Sequence, residues 1–206
     1  MTWLFNNWDQ VLVALWQHIV ISASSIGIAF VLSLVVGVWA ARHERVFQWS
    51  IAISGLLYTI PTLAFLALLI PVVGLGRTNA IICMVSFSLM ILIRNVATGI
   101  REVPEEVVEA GRGMGMNAFE VLTRIELPLA LPVILAGLRI ATVTVISVAV
   151  VAAYVNAGGL GTLIFNGISN DHAPKIWTGA LTACVLAVAA DFGLARLEGV
   201  VRHRTG

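Results

Sequence analysis

Charged residues are scarce in this sequence. Asp, Glu, Lys and Arg make up only 11% of its 206 residues, whereas soluble domains carry roughly 25%. Hydrophobic residues make up 59% of the chain, and the mean hydropathy is +0.98. This balance excludes an ordinary soluble domain and indicates a membrane protein.

Residues that bind metals and nucleotides are also few. The two cysteines, Cys83 and Cys184, both fall in long apolar stretches, where we expect them to pack as small apolar side chains. No Cys/His cluster has the spacing of a metal site. No Gly-x-x-x-x-Gly-Lys-Ser/Thr loop is present to hold phosphates. We therefore expect no metal or cofactor on this chain, and if ATP drives the protein, the nucleotide must bind to a partner.

Basic residues are missing from the first 41 positions. A cleaved secretory signal needs a basic start, so we do not expect one here. Five apolar residues recur instead at helical spacing: Trp8, Val11, Leu12, Leu15 and Trp16. Two interpretations remain open for residues 1–17: a helix lying in the outer headgroups with tryptophans as anchors, or a simple extension of the first membrane span.

Long apolar stretches dominate the rest of the chain. A helix needs about 20 mostly apolar residues to cross the hydrocarbon core, and about five stretches qualify. No linker or change in composition separates a second domain, so residues 1–206 are predicted to form one all-helical transmembrane domain. The predicted spans are residues 18–41, 49–73, 80–97, 131–153 and 176–194.

Basic residues are distributed unevenly around these spans. The connections after the second and fourth spans contain only Arg77 and Lys175. The other side of the predicted bundle holds Arg42, Arg45, Arg94, Arg101, Arg112, Arg124, Arg196, Arg202 and Arg204. Because basic loops stay in the cytoplasm, we expect the N-terminus outside, the C-terminus inside, and the connection between the third and fourth spans in the cytoplasm.

That connection, residues 104–128, is called the polar segment below. Pro104 suits the first turn of a helix, and the acidic residues that follow it would be stabilised by the helix N-terminus. Three glycines at 111, 113 and 115 suggest a break or a close contact, because each costs about 1 kcal/mol in a helix relative to Ala. Asn117 and Glu120 have the spacing of a capping box for a second helix. The pattern predicts helix, break, helix.

The same segment carries a spaced motif. It comprises Glu109, Ala110, Gly111, Gly115, Ile125, Leu127 and Pro128. It resembles the EAA loop of bacterial ABC-transporter permeases, with Gly111 in place of the usual second Ala. The resemblance implies a docking site for a cytoplasmic ATPase subunit, which would bind ATP and magnesium. It implies that Glu109 makes a polar contact to the ATPase and that Gly115 permits the turn. Gly111 keeps the position small but is expected to loosen the helix.

Further stretches resemble the permeases that import glycine betaine, carnitine, choline and related osmoprotectants, within a type I, methionine-importer-like fold. These stretches are residues 59–62, 70–76, 92–95, 137–139, 153–161 and 163–167. The resemblance implies a bacterial inner-membrane location, a second permease subunit of the same or another sequence, and an extracytoplasmic binding protein that delivers the solute. Methionine importer permeases have a similar length and five spans, and they remain the alternative.

Four residues are candidates for the substrate pathway: Tyr58, Pro61, Tyr154 and Asn156. Pro61 would kink the second span, and broken spans often line substrate paths. Tyrosines can bind quaternary ammonium groups by cation–π contact, but the sequence favours anchoring at the membrane interface as the role of these two. No nucleic-acid partner is expected.

Besides Arg94 close to the cytoplasmic end of the third span, two charged residues fall within predicted spans, Arg139 and Asp191. Charges at that depth usually face protein or water, often as pairs. We hypothesise that these two pair between helices and hold the bundle together. The alternative is that both extend to the cytoplasmic surface.

Other classes of membrane protein find little support. An intramembrane enzyme would need clustered His, Asp or Glu, or a nucleophile beside a base, and the two candidates in the spans, Arg139 and Asp191, have no evident catalytic partner. A small channel that works without an ATPase would not need the polar segment. The sequence therefore favours a transporter subunit over an enzyme.

Overall fold

The computed structural model describes residue 3 and residues 6–205, with side chains described as far as residue 202. The helices in this part of the chain are α1 (Trp8–Arg42), α2 (Glu44–Thr59), α3 (Thr62–Val73), α4 (Arg77–Arg101), α5 (Glu105–Gly113), α6 (Ala118–Val121), α7 (Leu127–Ala152), α8 (Leu160–Ser169) and α9 (Ala173–Thr205). A π-helical turn, Leu122–Glu126, joins α6 to α7, and a 3-10 turn, Ala153–Val155, follows α7. No strand occurs among the described residues, so the predicted all-helical class is confirmed.

Four stretches of the described residues are long and apolar enough to cross a membrane: Trp8–Arg42, Arg77–Arg101, Ala118–Val155 and Ala173–Arg202. The bent pair formed by α2 and α3 makes a fifth if it counts as one span. The predicted spans 18–41, 80–97 and 176–194 lie inside longer helices, and 131–153 ends one residue into the 3-10 turn. Hydropathy finds only the part of a helix within the hydrocarbon core, whereas the helices continue into polar residues on both sides.

The predicted second span, residues 49–73, is not one rod. The axes of α2 and α3 differ by 100° across the break. The residue before a proline is driven into extended backbone, and Ile60 accordingly has φ −70° and ψ 128°. Pro61 then precedes the first residue of α3. The kink expected at Pro61 is therefore a full break that turns α3 away from the line of α2.

The first helix bears on part of the open question at the N-terminus. α1 is continuous over 35 residues from Trp8, so residues 8–17 continue into the first span without a break, whereas residues 1, 2, 4 and 5 of the segment 1–17 lie outside the described residues. Within the predicted apolar face, Val11 is buried, whereas Trp8, Leu12 and Trp16 are at least half exposed.

α4 lies at the centre of the bundle and packs against α1, α2, α3 and α7. Its side chains Met84, Leu92 and Val96 are fully buried. Glycines on the neighbouring helices allow this close packing. A Cβ atom at Gly37 of α1 would lie 2.6 Å from the Val96 Cβ, and one at Gly137 of α7 would lie 2.5 Å from the Asn95 Cβ. Small residues of this kind allow helix backbones to approach closely.

Exposed tryptophans mark two levels along the bundle. Trp16 and Trp39 are both more than half exposed on α1. They are 23 residues apart, which corresponds to about 34 Å along a helix. A hydrocarbon core of about 30 Å, crossed with some tilt, fits between them. Exposed Trp49 on α2 lies near the Trp39 end and exposed Trp177 on α9 near the Trp16 end, as expected for aromatic residues at the two membrane surfaces.

Candidate functional site

The polar segment has the helix, break, helix form predicted for it. α5 begins directly after Pro104, with Glu105 and Glu106 in its first turn. Met114 is the C-cap of α5, and the next residue, Gly115, turns the chain with φ +88°. L-residues rarely adopt this conformation, whereas glycine adopts it without strain. The turn at Gly115 therefore depends on glycine.

A complete capping box starts α6. The Asn117 Oδ1 accepts hydrogen bonds from the backbone N–H groups of Phe119 and Glu120, both at 3.0 Å. In return, the Glu120 Oε2 accepts from the Asn117 N–H at 3.0 Å. This reciprocal arrangement satisfies orphan donors at the helix start and fixes the direction in which the chain leaves the glycine turn.

The motif residues of the polar segment divide into two groups. Glu109 and Ala110 are exposed on α5, whereas Gly111 is buried. A Cβ atom at Gly111 would collide with the Ile125 Cδ1. The surface that approaches Gly111 thus belongs to the same chain, and α5 remains helical through it. Leu127 packs partly buried against the cluster of Val96, Ile100, Ala130 and Ile134, and Pro128 is the second residue of α7.

Large apolar side chains are exposed on the polar segment. Phe119 is 73% exposed, Met114 is 71% exposed, and Val107 is also exposed. These residues lie outside the four long apolar stretches that qualify as spans, except Phe119, which is the second residue of the third stretch. Exposed apolar groups on the same segment as the exposed Glu109 are of the kind that protein partners contact.

Ion pairs that sequence reasoning did not find hold both ends of this segment. Arg42, the last residue of α1, donates to the Glu126 Oε2 at 2.5 Å. Arg101, the last residue of α4, donates to the Ala40 carbonyl at 2.8 Å and pairs with Glu44 at 2.9 Å. The sequence offered one hint of this ion pair, the acidic Glu126 between the apolar residues Ile125 and Leu127. No neighbouring residue in the sequence identified Arg42 as its partner.

The four pathway candidates lie on two separate elements. Tyr58 and Pro61 flank the break between α2 and α3, and the Tyr58 ring packs edge-on against Phe87. Tyr154 lies on the 3-10 turn and packs edge-on against Phe165. Asn156 follows that turn, exposed and left-handed, with φ +60°. No ring contact joins Tyr58 to Tyr154 in the described part of the chain.

One backbone hydrogen bond connects these two regions. The Gly76 N–H donates to the Val155 carbonyl at 2.7 Å. The turn between α3 and α4 therefore lies against the 3-10 turn after α7. Both are irregular backbone, which membrane proteins tolerate only where protein or water covers it.

Arg139 and Asp191 are in direct contact. The Arg139 Nε donates to one Asp191 carboxylate oxygen, and its Nη2 donates to the other at 2.8 Å. Glu198 lies 3.8 Å from the Arg139 Nη1. The two side chains bridge α7 and α9 instead of extending separately to the surface. Arg139 is 13 residues past Glu126, and Asp191 is 14 residues past Trp177, so each lies about 20 Å along its helix from those markers.

The start of α8 is held by α1. The fully buried His18 accepts a hydrogen bond at Nδ1 from the Leu160 N–H, at 3.3 Å, and its Nε2 donates to the Ile146 carbonyl at 3.1 Å. The Gln17 Oε1 accepts from the Gly159 N–H at 3.1 Å. α8 was not predicted from the sequence, because its 10 residues are too few to span a membrane.

Metal-ligating side chains are not clustered in the described residues. Among them, no group of three or more His, Cys, Asp or Glu side chains is placed to hold a metal ion. Cys83 is buried and Cys184 is exposed, and both are free thiols.

The fold is that of the membrane subunits of ABC importers. The chain superimposes on a chain of the MetNI methionine ABC transporter in an inward-facing conformation, with a TM-score of 0.81. The match covers 93% of this chain and 96% of that one at 23% identity. A chain of an amino acid ABC transporter gives a TM-score of 0.74 at 13% identity, over 98% and 96% of the two chains. These likenesses establish the fold alone.

The sequence identifies the family. Residues 33–203 match the model for the binding-protein-dependent transport system inner membrane component, and the chain belongs to this family. It is 36% identical to a carnitine transport permease protein of Listeria monocytogenes, over 96% of this chain and 91% of the relative. It is 38% identical to a choline transport system permease protein of Bacillus subtilis, over 100% and 93%. It is 35% identical to an osmoprotectant import permease protein of Salmonella typhimurium, over 97% and 95%.

The chain is therefore a permease subunit of an ABC importer in the inner membrane. ATP hydrolysis takes place on separate ATPase subunits, and the transporter complex also includes a substrate-binding protein and a second permease. These findings show that the chain is a transporter subunit. They do not support the alternatives of an intramembrane enzyme or an ATPase-independent channel.

Proposed function

We propose that this permease imports quaternary ammonium osmoprotectants: glycine betaine, carnitine, choline or a close relative of these. The observation that carries the proposal is likeness over the whole chain to permeases named for these solutes, at 33–38% identity. The chain of the methionine transporter is only 23% identical in sequence, and this likeness bears on the fold alone. Methionine is therefore the less favoured solute.

The polar segment is the proposed docking site for the ATPase. Glu109 and Ala110 are exposed on α5 and are available to a partner, together with the exposed side chains of Met114 and Phe119. Glu109 supplies the polar contact, and Gly115 sets the angle between α5 and α6. The partner, not this chain, binds ATP and magnesium. Buried Gly111 and the partly buried Ile125 and Leu127 support this surface from beneath.

The proposed orientation follows from charge. The end of the bundle that carries Arg42, Arg101 and the polar segment lies in the cytoplasm, because basic residues remain on that side. The N-terminus and the start of α9 then lie outside, where the binding protein delivers the solute. The irregular regions around Pro61 and Asn156 lie toward this outer end, and with Tyr58 and Tyr154 they are the proposed lining of the substrate path.

The experiment that tests the proposal is ATP-dependent uptake into proteoliposomes. These vesicles carry the chain with its second permease, ATPase and binding protein, and they receive labelled glycine betaine, choline, carnitine or methionine. Uptake of a quaternary amine that Glu109→Lys abolishes supports both the solute class and the docking site. Methionine uptake would overturn the solute class only. Uptake that Glu109→Lys leaves intact would overturn the role of Glu109.

A further inference from the structure

The first end of the polar segment is fixed to the junction of α1 and α2, residues 40–44, which is called the α1–α2 corner below. Arg101 lies three residues before Pro104. Its guanidinium donates to the Ala40 carbonyl at 2.8 Å and to the Ala41 carbonyl at 3.2 Å. These are unpaired carbonyls at the C-terminal end of α1, where a cation is favoured. The same guanidinium also pairs with Glu44, the first residue of α2.

The other end of the polar segment is fixed to the same corner. Glu126 is the last residue of the π-helical turn, and its carboxylate accepts from the Arg42 guanidinium at 2.5 Å. The side chain of Glu126 is only 6% exposed, and that of Arg42 is 36% exposed. A buried carboxylate without a partner is costly. The pair therefore holds together more firmly than a pair on an open surface.

The connection from α6 to α7 is irregular where this ion pair lies. π-helical turns are rare and are frequently found at functional sites, and here one separates the capped start of α6 from Leu127. A displacement of α6 therefore does not pass to α7 along one uninterrupted α-helix. The Arg42–Glu126 pair provides a second connection at that point, across the bundle to the end of α1.

We propose that Arg42 and Glu126 are positioning residues that make the polar segment and the α1–α2 corner move as one body. The inference rests on the proposed function, because it takes the polar segment as the surface that the ATPase moves. Since α2 starts at this corner and ends at the 100° break before α3, motion of the segment reaches α2 directly. Loss of the pair uncouples ATP hydrolysis from solute movement.

The first test measures ATP hydrolysed per solute taken up, in the same proteoliposomes that contain the complete complex. The variants are Arg42→Glu, Glu126→Arg and the charge-exchanged double variant. The milder changes Arg42→Lys and Glu126→Gln are included in case a reversed charge prevents assembly. Arg45→Glu is the matched control, since Arg45 is exposed nearby and forms no ion pair among the described residues.

Each charge reversal is expected to raise the ratio of ATP to solute by about fivefold or more, the low end of coupling between sites. The double variant is expected to recover most of the wild-type ratio, because exchanging the charges restores the attraction. Arg45→Glu should leave the ratio unchanged. If hydrolysis and uptake fall together in the single variants, the pair is only structural and the proposal is wrong. Failure of the double variant to recover the ratio would also overturn it.

A second test does not depend on the solute. Spin labels are placed at Arg45→Cys and Arg124→Cys in a Cys184→Ala background, and the distance between them is measured in the complex with and without ATP. The expected result is an unchanged distance, and a shift on ATP binding overturns the proposal.

If the complex hydrolyses ATP but imports none of the four solutes, only the proposed solute class fails. If no ATPase associates with the chain, the docking site and this inference both fail.

Discussion

The Arg139 guanidinium on α7 binds both carboxylate oxygens of Asp191 on α9. This two-point contact ties the last helix to the helix that follows the polar segment. The pair lies about 20 Å along the helices from Glu126 and Trp177, roughly mid-way across the hydrocarbon core. Lipid is an unfavourable neighbour for charges at that depth, so we expect the half-exposed side of this pair to face protein or water in the assembled transporter.

Removing one member of this pair is expected to destabilise the complex more than exchanging both. Arg139→Ala leaves Asp191 without its partner inside the membrane, and the purified complex should unfold at a lower temperature and yield less protein. The Arg139→Asp/Asp191→Arg double variant should recover part of the loss. The Arg139→Lys complex should unfold at a lower temperature than wild type, because an ammonium group does not make the planar two-point contact. Equal loss in single and double variants would show that the pair does not hold the helices together.

Adding a single methyl group at Gly37 is expected to loosen the contact between α1 and α4. Its Cβ would lie 2.6 Å from the Cβ and Cγ1 of Val96, and overpacking of this kind costs about 1–3 kcal/mol. Gly27→Ala on the same helix is the control, since nothing lies within 4 Å of its Cβ. Thermal unfolding of the purified protein should show a lower midpoint for Gly37→Ala and an unchanged or higher one for Gly27→Ala. Equal midpoints would contradict the packing argument.

Replacing His18 by Phe is expected to release the start of α8. The change removes the acceptor for the Leu160 N–H, and an unsatisfied buried donor costs about 1–3 kcal/mol. The Ile146 carbonyl loses its second donor but stays within the helical hydrogen bonding of α7. Hydrogen exchange of the residues around Gly159 and Leu160 should become faster. His43→Phe is the control, because the exposed His43, between α1 and α2, bonds through its ring only to the nearby Trp39 carbonyl among the described residues. Unchanged exchange in His18→Phe would show that the hydrogen bonds of His18 do not hold α8.

Alanine at position 115 is expected to weaken the association of the ATPase, whereas alanine at position 113 is not. Neither would bring a Cβ within 4 Å of another residue, so the comparison isolates backbone conformation. Gly115 has φ +88°, where a side chain adds about 1–2 kcal/mol of strain, whereas Gly113 is the last residue of α5. Gly115→Ala should weaken association of the ATPase with the permease in a pull-down titration, and Gly113→Ala should not. Equal affinity for both variants would remove Gly115 from the docking geometry.

Local patterns in the sequence were sufficient for several features. Composition and long apolar stretches predicted an all-helical membrane protein with about five spans. Asn117 and Glu120 predicted their capping box, which involves residues only three positions apart. Gly115 was expected at the turn because only its own backbone conformation matters there. Each of these features is decided by side chains close together in the chain, or by a solvent preference that acts on every residue independently.

Tertiary packing decided the rest. The sequence placed a proline at position 61 but did not show that α3 turns by 100°, since the angle depends on what α3 packs against. Glu126 and Arg42 are 84 residues apart, and Leu160 and His18 are 142 apart. Nothing near either member indicates the other, because the contact exists only once α1 lies beside α7 and α8. The sequence by itself determined which segments are helices in a membrane and which segment is polar, whereas only the folded bundle determined how that polar segment is anchored.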